Sequence, residues 1–195
     1  MEENTPFILK AIESRKAAQA AAAAEMQGYE DGAVLYLLGK PVPMFFYRGE
    51  VSRAVFEAER LCFFLPDPEN PSLRKKEVEK WLTHFTRDTF TEVLTRMYNR
   101  FAAYNLPFPV LKIRRMKSRW GSCQPVKKIV TLNSLLIHRE EACIAYVAVH
   151  ELAHLVQANH SPKFYAVVES VMPDWKPYRA LLREPLGSRE RKDVE

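Results

Sequence analysis

The spacing of hydrophobic residues changes several times along this chain, and each change marks an element. Residues 142–156, ACIAYVAVHELAHLV, are apolar almost all round, which predicts an interior helix over about 140–158. Upstream, Val78, Trp81, Leu82, Phe85, Val93, Leu94, Met97 and Phe101 recur at helical spacing and predict a long helix over about 72–104. His84 lies off that stripe and is expected at the surface. Short apolar runs bounded by turn residues predict strands at 33–38 and 42–47, two more within 53–65 around Glu57-Ala58-Glu59, and strands at 110–116 and 128–133. Thr5 and Pro6 open an alanine-rich stretch that Gly28 closes, which reads as a helix over 5–27. Helices at 162–172 and after Pro173 complete the pattern. The charged stretch from Gly187 is expected to be disordered.

These elements imply an α+β protein in which a small mixed or antiparallel sheet packs on a long helix and on the 140–158 helix. The prolines at 66, 68 and 71 read as a linker. The expected organisation is an N-terminal helix (1–28), a β-hairpin region (29–66), a main domain (67–186) and a tail (187–195).

The chemistry is concentrated in the interior helix. Three of the five histidines, His150, His154 and His160, fall within eleven residues, with Glu151 after the first. In His150-Glu151-Leu152-Ala153-His154 the histidines stand four apart, so both imidazoles leave one helix face. Both can then reach one zinc at about 2.0–2.1 Å. Glu151 points roughly 100° around the helix, beside a metal rather than onto it, where it can take a proton from water. An interior helix bearing His, Glu and His needs partners for them, and a metal supplies one.

The stretch after His154 reads LVQANHSP. Asn159 suits a left-handed helix end, and Ser161-Pro162 suits a helix start, with Ser as cap. His160 is then on a corner and can fold back as third ligand, at the spacing H-E-x-x-H-x5-H. Glu169, on the following helix, is the rival ligand, or else a supporting or solvated carboxylate. His138 is expected as a loop or capping residue.

Composition narrows the setting. Cys62, Cys123 and Cys143 are scattered and odd in number, which argues against a disulfide framework and suits a reducing cytoplasm. Cys123 is read as a small packed residue. No run has the pattern of a signal peptide or membrane span. The net charge of +5 is local: Arg114, Arg115, Lys117, Arg119, Lys127 and Lys128 cluster together. A basic hairpin over 112–128 could contact nucleic acid weakly; a solvated hairpin is the plainer reading. In SRWGSC, Gly121 permits a tight turn or close backbone approach. Arg119 could pair with a carboxylate and Trp120 could cover the cleft, or both could simply fix the loop. The strand over 128–133 could lie above the motif helix as an edge to which an extended substrate adds.

In order, SRWGSC (118–123), TLN (131–133), YVAVHELAH (146–154), NHSPKF (159–164) and MPDW (172–175) resemble the YgjP-like family of metal-dependent hydrolases, related to WLM and SprT-like metallopeptidases. The resemblance covers roughly residues 29–184 and is strongest over 114–175. It implies a zincin-like fold, with His150, His154 and His160 as ligands of one zinc per chain and Glu151 as catalytic glutamate. The expected function is hydrolysis of peptide bonds in a peptide or protein substrate by zinc-activated water, with Glu151 as general base. Arg119 and Tyr165 are candidates for stabilising the oxyanion. The alternative is a nucleic-acid-associated protein, including a protease of DNA-bound proteins, docked through the basic hairpin. Oligomeric state has no sequence signature here.

Overall fold

A computed structural model of the chain describes residues 29–184. The helix expected over 5–27 and the tail expected from 187 lie outside the described residues. The described residues divide into two compact units, one holding 29–35 with Pro41–Leu82, the other Tyr36–Lys40 with 83–184.

Strands β1 (Val34–Leu37), β2 (Lys40–Arg48), β3 (Arg53–Glu57) and β4 (Arg60–Leu65) form a sheet of order β1-β2-β4-β3, and β3, β4 and β2 from Pro41 onward belong to the first unit. β2 runs parallel to β4, whereas β3 and β4 form an antiparallel hairpin. The expected break at Glu57-Ala58-Glu59 is a two-residue turn, with Ala58 and Glu59 at φ 48° and 57°. Val42, Met44 and Phe46 alternate inward on β2. Phe46 stacks on Phe63 of β4, its register partner, with ring centroids 5.4 Å apart. Helix α1 (Pro71–Asn99) begins in this unit, where Val78 is buried and Trp81 packs on Phe56.

The remainder of α1 belongs to the second unit. Thr86, Phe90, Val93, Leu94 and Met97 are buried along one stripe, and His84 is exposed as expected. The helix stops at Asn99, short of the expected 104. A separate 3-10 turn, Ala102–Tyr104, follows and ends on Asn105 in the left-handed region at φ 47°. Three strands follow: β5 (Val110–Arg114), β6 (Gly121–Gln124) and β7 (Ile129–Asn133).

Sequence pattern missed β6, which lies within the segment read as a connection. It also misplaced the edge. The sheet order is β5-β7-β6, with β5 parallel and β6 antiparallel to β7, so the 128–133 strand is central and β6 is an outer strand. The physical reason is pairing with segments distant in sequence: β7 takes β5 on one edge and β6 on the other, and Val130 to Asn133 are buried. The basic residues therefore do not share one hairpin. Arg114 ends β5, Arg115, Lys117 and Arg119 lie on the connection to β6, and Lys127 and Lys128 form the β6–β7 turn.

A 3-10 turn (Ser134–His138) leads to α2 (Glu141–Ala153). His138 closes this turn, and its Nδ1 lies 2.7 Å from the Tyr36 carbonyl oxygen. α2 is the expected interior helix, buried over Cys143–Val149 and again at Glu151–Ala153. It packs against β6, β7 and the helices α3 (Pro162–Val171) and α4 (Trp175–Leu181). Arg96 of α1 pairs with Glu141 at its start. No helix among the described residues is long and apolar enough to cross a membrane.

Asn133 braces the loop before β6. Its Oδ1 accepts from the Met116 and Leu135 amides at 3.2 Å each, and its Nδ2 donates to the Met116 and Arg119 carbonyls at 2.8 and 2.9 Å. The side chain is 2% exposed, so water cannot replace these four bonds. Asn133→Ala should lower unfolding free energy by about 2–4 kcal/mol in urea titration; a loss below about 0.5 kcal/mol would show that the loop does not rely on it.

Candidate metal and catalytic site

α2 delivers His150 and Glu151 from its last turn, and His154 follows as its C-terminal cap with helical dihedrals. The expected continuation to 158 does not form. After His154 the backbone tightens, with the Leu155 amide donating to Leu152 and the Val156 and Gln157 amides both donating to Ala153. Asn159 does not take the left-handed conformation expected of it, since it is not among the residues with positive φ. The corner is bridged instead by the Gln157 side chain, whose Nε2 donates to Asn159 Oδ1 at 2.8 Å. Ser161 sits at the cap position before Pro162, as expected, but its hydroxyl makes no capping bond.

This corner folds His160 back onto α2. The potential ligand nitrogens of His150, His154 and His160 all lie within 4.8 Å of one another. Nε2 of His160 stands 3.0 Å from Nε2 of His150. Two nitrogens bound to one tetrahedral zinc at about 2.0–2.1 Å would be about 3.3 Å apart, so the observed spacing fits. Nδ1 of His154 lies 3.3 Å from the Gln157 carbonyl oxygen, which leaves its Nε2 for the cluster. Phe164 of α3 packs against all three rings at 4.6–4.9 Å between centroids. It gives the cluster an apolar floor.

Burial, then the neighbouring histidines, pushes the His150 pKa down to about 3, and burial also lowers that of His154. Both rings are thus held neutral, the form that ligates a metal.

Glu169 does not join the cluster. It is exposed on α3 and pairs with Lys176 at 3.9 Å. Tyr165 is half-buried, 6.4 Å from the His160 ring and stacked on Trp175 at 5.4 Å. Trp120 is half-buried, its indole N–H donates to the Leu182 carbonyl at 2.8 Å, and Arg139 lies over its ring. Trp120 thereby ties the loop before β6 to the end of α4.

Glu151 is 5% exposed and lies against β6. A Cβ on Gly121 would stand 2.5 Å from Glu151 Oε1 and 2.8 Å from Val147 Cγ1. Of the two roles that sequence allowed for this glycine, close approach is the one observed, within a strand rather than a turn. Burial pushes the Glu151 pKa up to about 8 in the absence of a cation, against a smaller lowering by the Arg119 guanidinium. Cys123, two residues along the same face of β6, feels the same carboxylate. Burial, then Glu151, raises its thiol to about 11, so it is neither thiolate nor nucleophile. All three cysteines are free.

Against this geometry, comparison with known proteins is direct. The helix-borne histidine pair, the returning third histidine and the buried glutamate define a metallohydrolase-type site. The chain belongs to the YgjP-like family, whose metallopeptidase domain matches residues 2–185. It is a metal-dependent peptidase of that family. Among solved structures it is similar to the metallopeptidase zymogen abylysin of Pyrococcus abyssi, at 26% identity over 48% of this chain and 90% of that one, with TM-score 0.43. It is also similar to the zymogen jannalysin of Methanocaldococcus jannaschii, at 22% identity over 50% and 91%, with TM-score 0.38. No curated protein matches the chain.

Two outcomes follow. Gly121→Ala forces apart a strand and the glutamate beside it, and should cut peptide hydrolysis by about 10–100-fold, with a stability cost of about 1–3 kcal/mol. Wild-type turnover in that variant would show that β6 does not set the Glu151 position.

The second outcome concerns metal-free protein and pH. Glu151 titrates near 8 when folded against an ordinary 4.5, so the folded state holds the extra proton between these values and stability falls as pH rises through them. His150 works oppositely: it titrates near 3 against an ordinary 6.5, so stability falls as pH drops below 6.5. From pH 6.5 to 8 only the Glu151 effect remains. Chelator-treated protein should lose stability over that interval in urea titrations, and Glu151→Gln should flatten the slope. An equal slope in both would reject the buried-acid assignment.

Proposed function

We propose that His150, His154 and His160 hold one zinc ion per chain and that Glu151 is the general base of peptide-bond hydrolysis. The convergence of three imidazoles beside a buried carboxylate supports this reading. Zinc at this position supplies Lewis acidity for the scissile carbonyl and lowers the pKa of water.

The chain's own groups do the rest. Glu151 accepts a proton from the attacking water on a carboxylate oxygen and returns it to the leaving amine. Gly121 keeps that carboxylate pressed against β6 and away from bulk solvent, which strengthens its interactions. Gln157, through its backbone carbonyl, orients His154. β6, as the outer strand next to Glu151, offers the edge along which an extended peptide can pair. This moves the substrate-binding edge from the 128–133 strand to 121–124. Arg119, exposed with its charge felt by Glu151, is the candidate for the oxyanion on that side.

The substrate class is a peptide or protein. The exposed basic residues are spread over a strand end, a loop and a turn, so nothing in the site favours a nucleic-acid role over the peptidase one.

Purified protein should carry about one zinc per chain by elemental analysis. His150→Ala and His154→Ala should lose it, whereas Glu151→Gln should keep it and lose hydrolysis by at least about 100-fold. His160→Ala should weaken zinc binding greatly and Glu169→Ala should not. The reverse result would install Glu169 as third ligand.

A further inference from the structure

A closed circuit of rings surrounds one flank of the site. His150 contacts Tyr146 at 6.0 Å, Tyr146 stacks on Trp175 at 6.0 Å, and Trp175 stacks on Tyr165 at 5.4 Å. Tyr165 contacts His160 at 6.4 Å, which returns to His150 at 4.9 Å. The far side of this circuit carries a guanidinium. Arg179 of α4 lies 5.7 Å from the Tyr165 ring centroid and 5.7 Å from that of Trp175. Cation–π attraction to two rings fixes a charge there with little freedom.

That charge has no carboxylate partner among the described residues. Two acids near it in sequence are engaged elsewhere: Glu169 pairs with Lys176, and Asp174 accepts from the Tyr178 hydroxyl at 3.1 Å. Arg179 is half-buried and carries five N–H donors. The indole N–H of Trp175, whose ring Arg179 covers, is a buried donor without an acceptor among the described residues. The field of Arg179 reaches the metal-binding helix. His150 and Tyr146 both feel its charge.

We propose that Arg179 binds a carboxylate of the peptide substrate, on the flank of the histidine cluster formed by Tyr165 and Trp175. The proposal rests on the peptidase reading, because carboxylates are the anions that an unmodified peptide carries. A planar guanidinium offers two parallel N–H donors to a carboxylate, and its partial burial strengthens the pair. The carboxylate comes either from the substrate C-terminus or from an Asp or Glu side chain near the scissile bond. Arg179 would then determine which peptides are cut, while Glu151 and the histidines determine that they are cut.

The test uses full-length, zinc-loaded protein and two matched pairs of fluorescence-quenched peptides. One pair differs as C-terminal acid and amide, the other as Glu and Gln beside the cleaved bond. Wild-type kcat/KM should favour the carboxylate member of one pair by about 10–100-fold, and that pair identifies the source. Arg179→Gln should bring the ratio near one, with the change mainly in KM, and Arg179→Lys should restore part of it. Three results would overturn the proposal: no preference in wild type, a ratio unchanged in Arg179→Gln, or a uniform fall in kcat for all four peptides. The last would mark Arg179 as a structural or oxyanion group. Anisotropy of the same peptides on zinc-loaded Glu151→Gln protein reads the preference without turnover. A chain that hydrolyses none of the peptides yet binds carboxylate members through Arg179 would fail as a peptidase and keep this site. Thermal melts of the Arg179 variants separate lost binding from lost folding.

Discussion

The site depends on the contact between a bare strand and a buried carboxylate. Gly121 has no side chain, and its missing Cβ would stand 2.5 Å from Glu151 Oε1. That proximity removes Glu151 from water and raises its pKa. It also aligns an outer strand with the end of α2, so one contact places Glu151, the histidine-bearing helix and an outer strand edge together. A carboxylate buried without a cation is costly. The histidine cluster beside it is where an opposite charge would relieve that cost, and so coupling of metal binding to Glu151 ionisation follows from the geometry.

Much of the second unit serves to hold that contact. Asn133, at the end of the central strand, binds the backbone of Met116 and Arg119 and thereby fixes the loop that enters β6. Trp120 ties the same loop to the end of α4 through the Leu182 carbonyl. The SRWGSC segment thus divides its labour: Trp120 braces, Gly121 yields space and Arg119 contributes charge. On the other side Phe164 backs all three histidines, and the stacked Tyr146, Trp175 and Tyr165 join α2, α3 and α4 into one wall.

The features that could be read in advance are local ones. The four-residue spacing of His150 and His154, with Glu151 between them, is converted to geometry by the helix alone, and the all-round apolarity of α2 announces its burial. The return of His160 was likewise legible from a helix start at Ser161-Pro162, although the device that makes the corner was not. Asn159 looked like the terminator, but the helix unwinds earlier, at Ala153, and a Gln157–Asn159 side-chain bond spans the gap. β6 was invisible because four residues, Gly-Ser-Cys-Gln, carry no alternation strong enough to mark a strand. Taking the 128–133 strand for an edge failed because pairing on both sides is a property of partners distant in sequence.

The candidate chemistry is written locally: three histidines and a glutamate, side chains able to bind a metal or move a proton, share one turn and the bend after it. Helical periodicity is a short-range rule, so nothing else in the chain is needed to apply it. What surrounds that turn depends on how the packed elements meet. That packing set β6 against Glu151, gave Asn133 its loop to brace, left Glu169 outside the cluster and put Arg179 over two aromatic rings. Those relations join residues 14 to 30 or more positions apart, or on successive helices whose angle no local pattern encodes, and they exist only once the core has been packed.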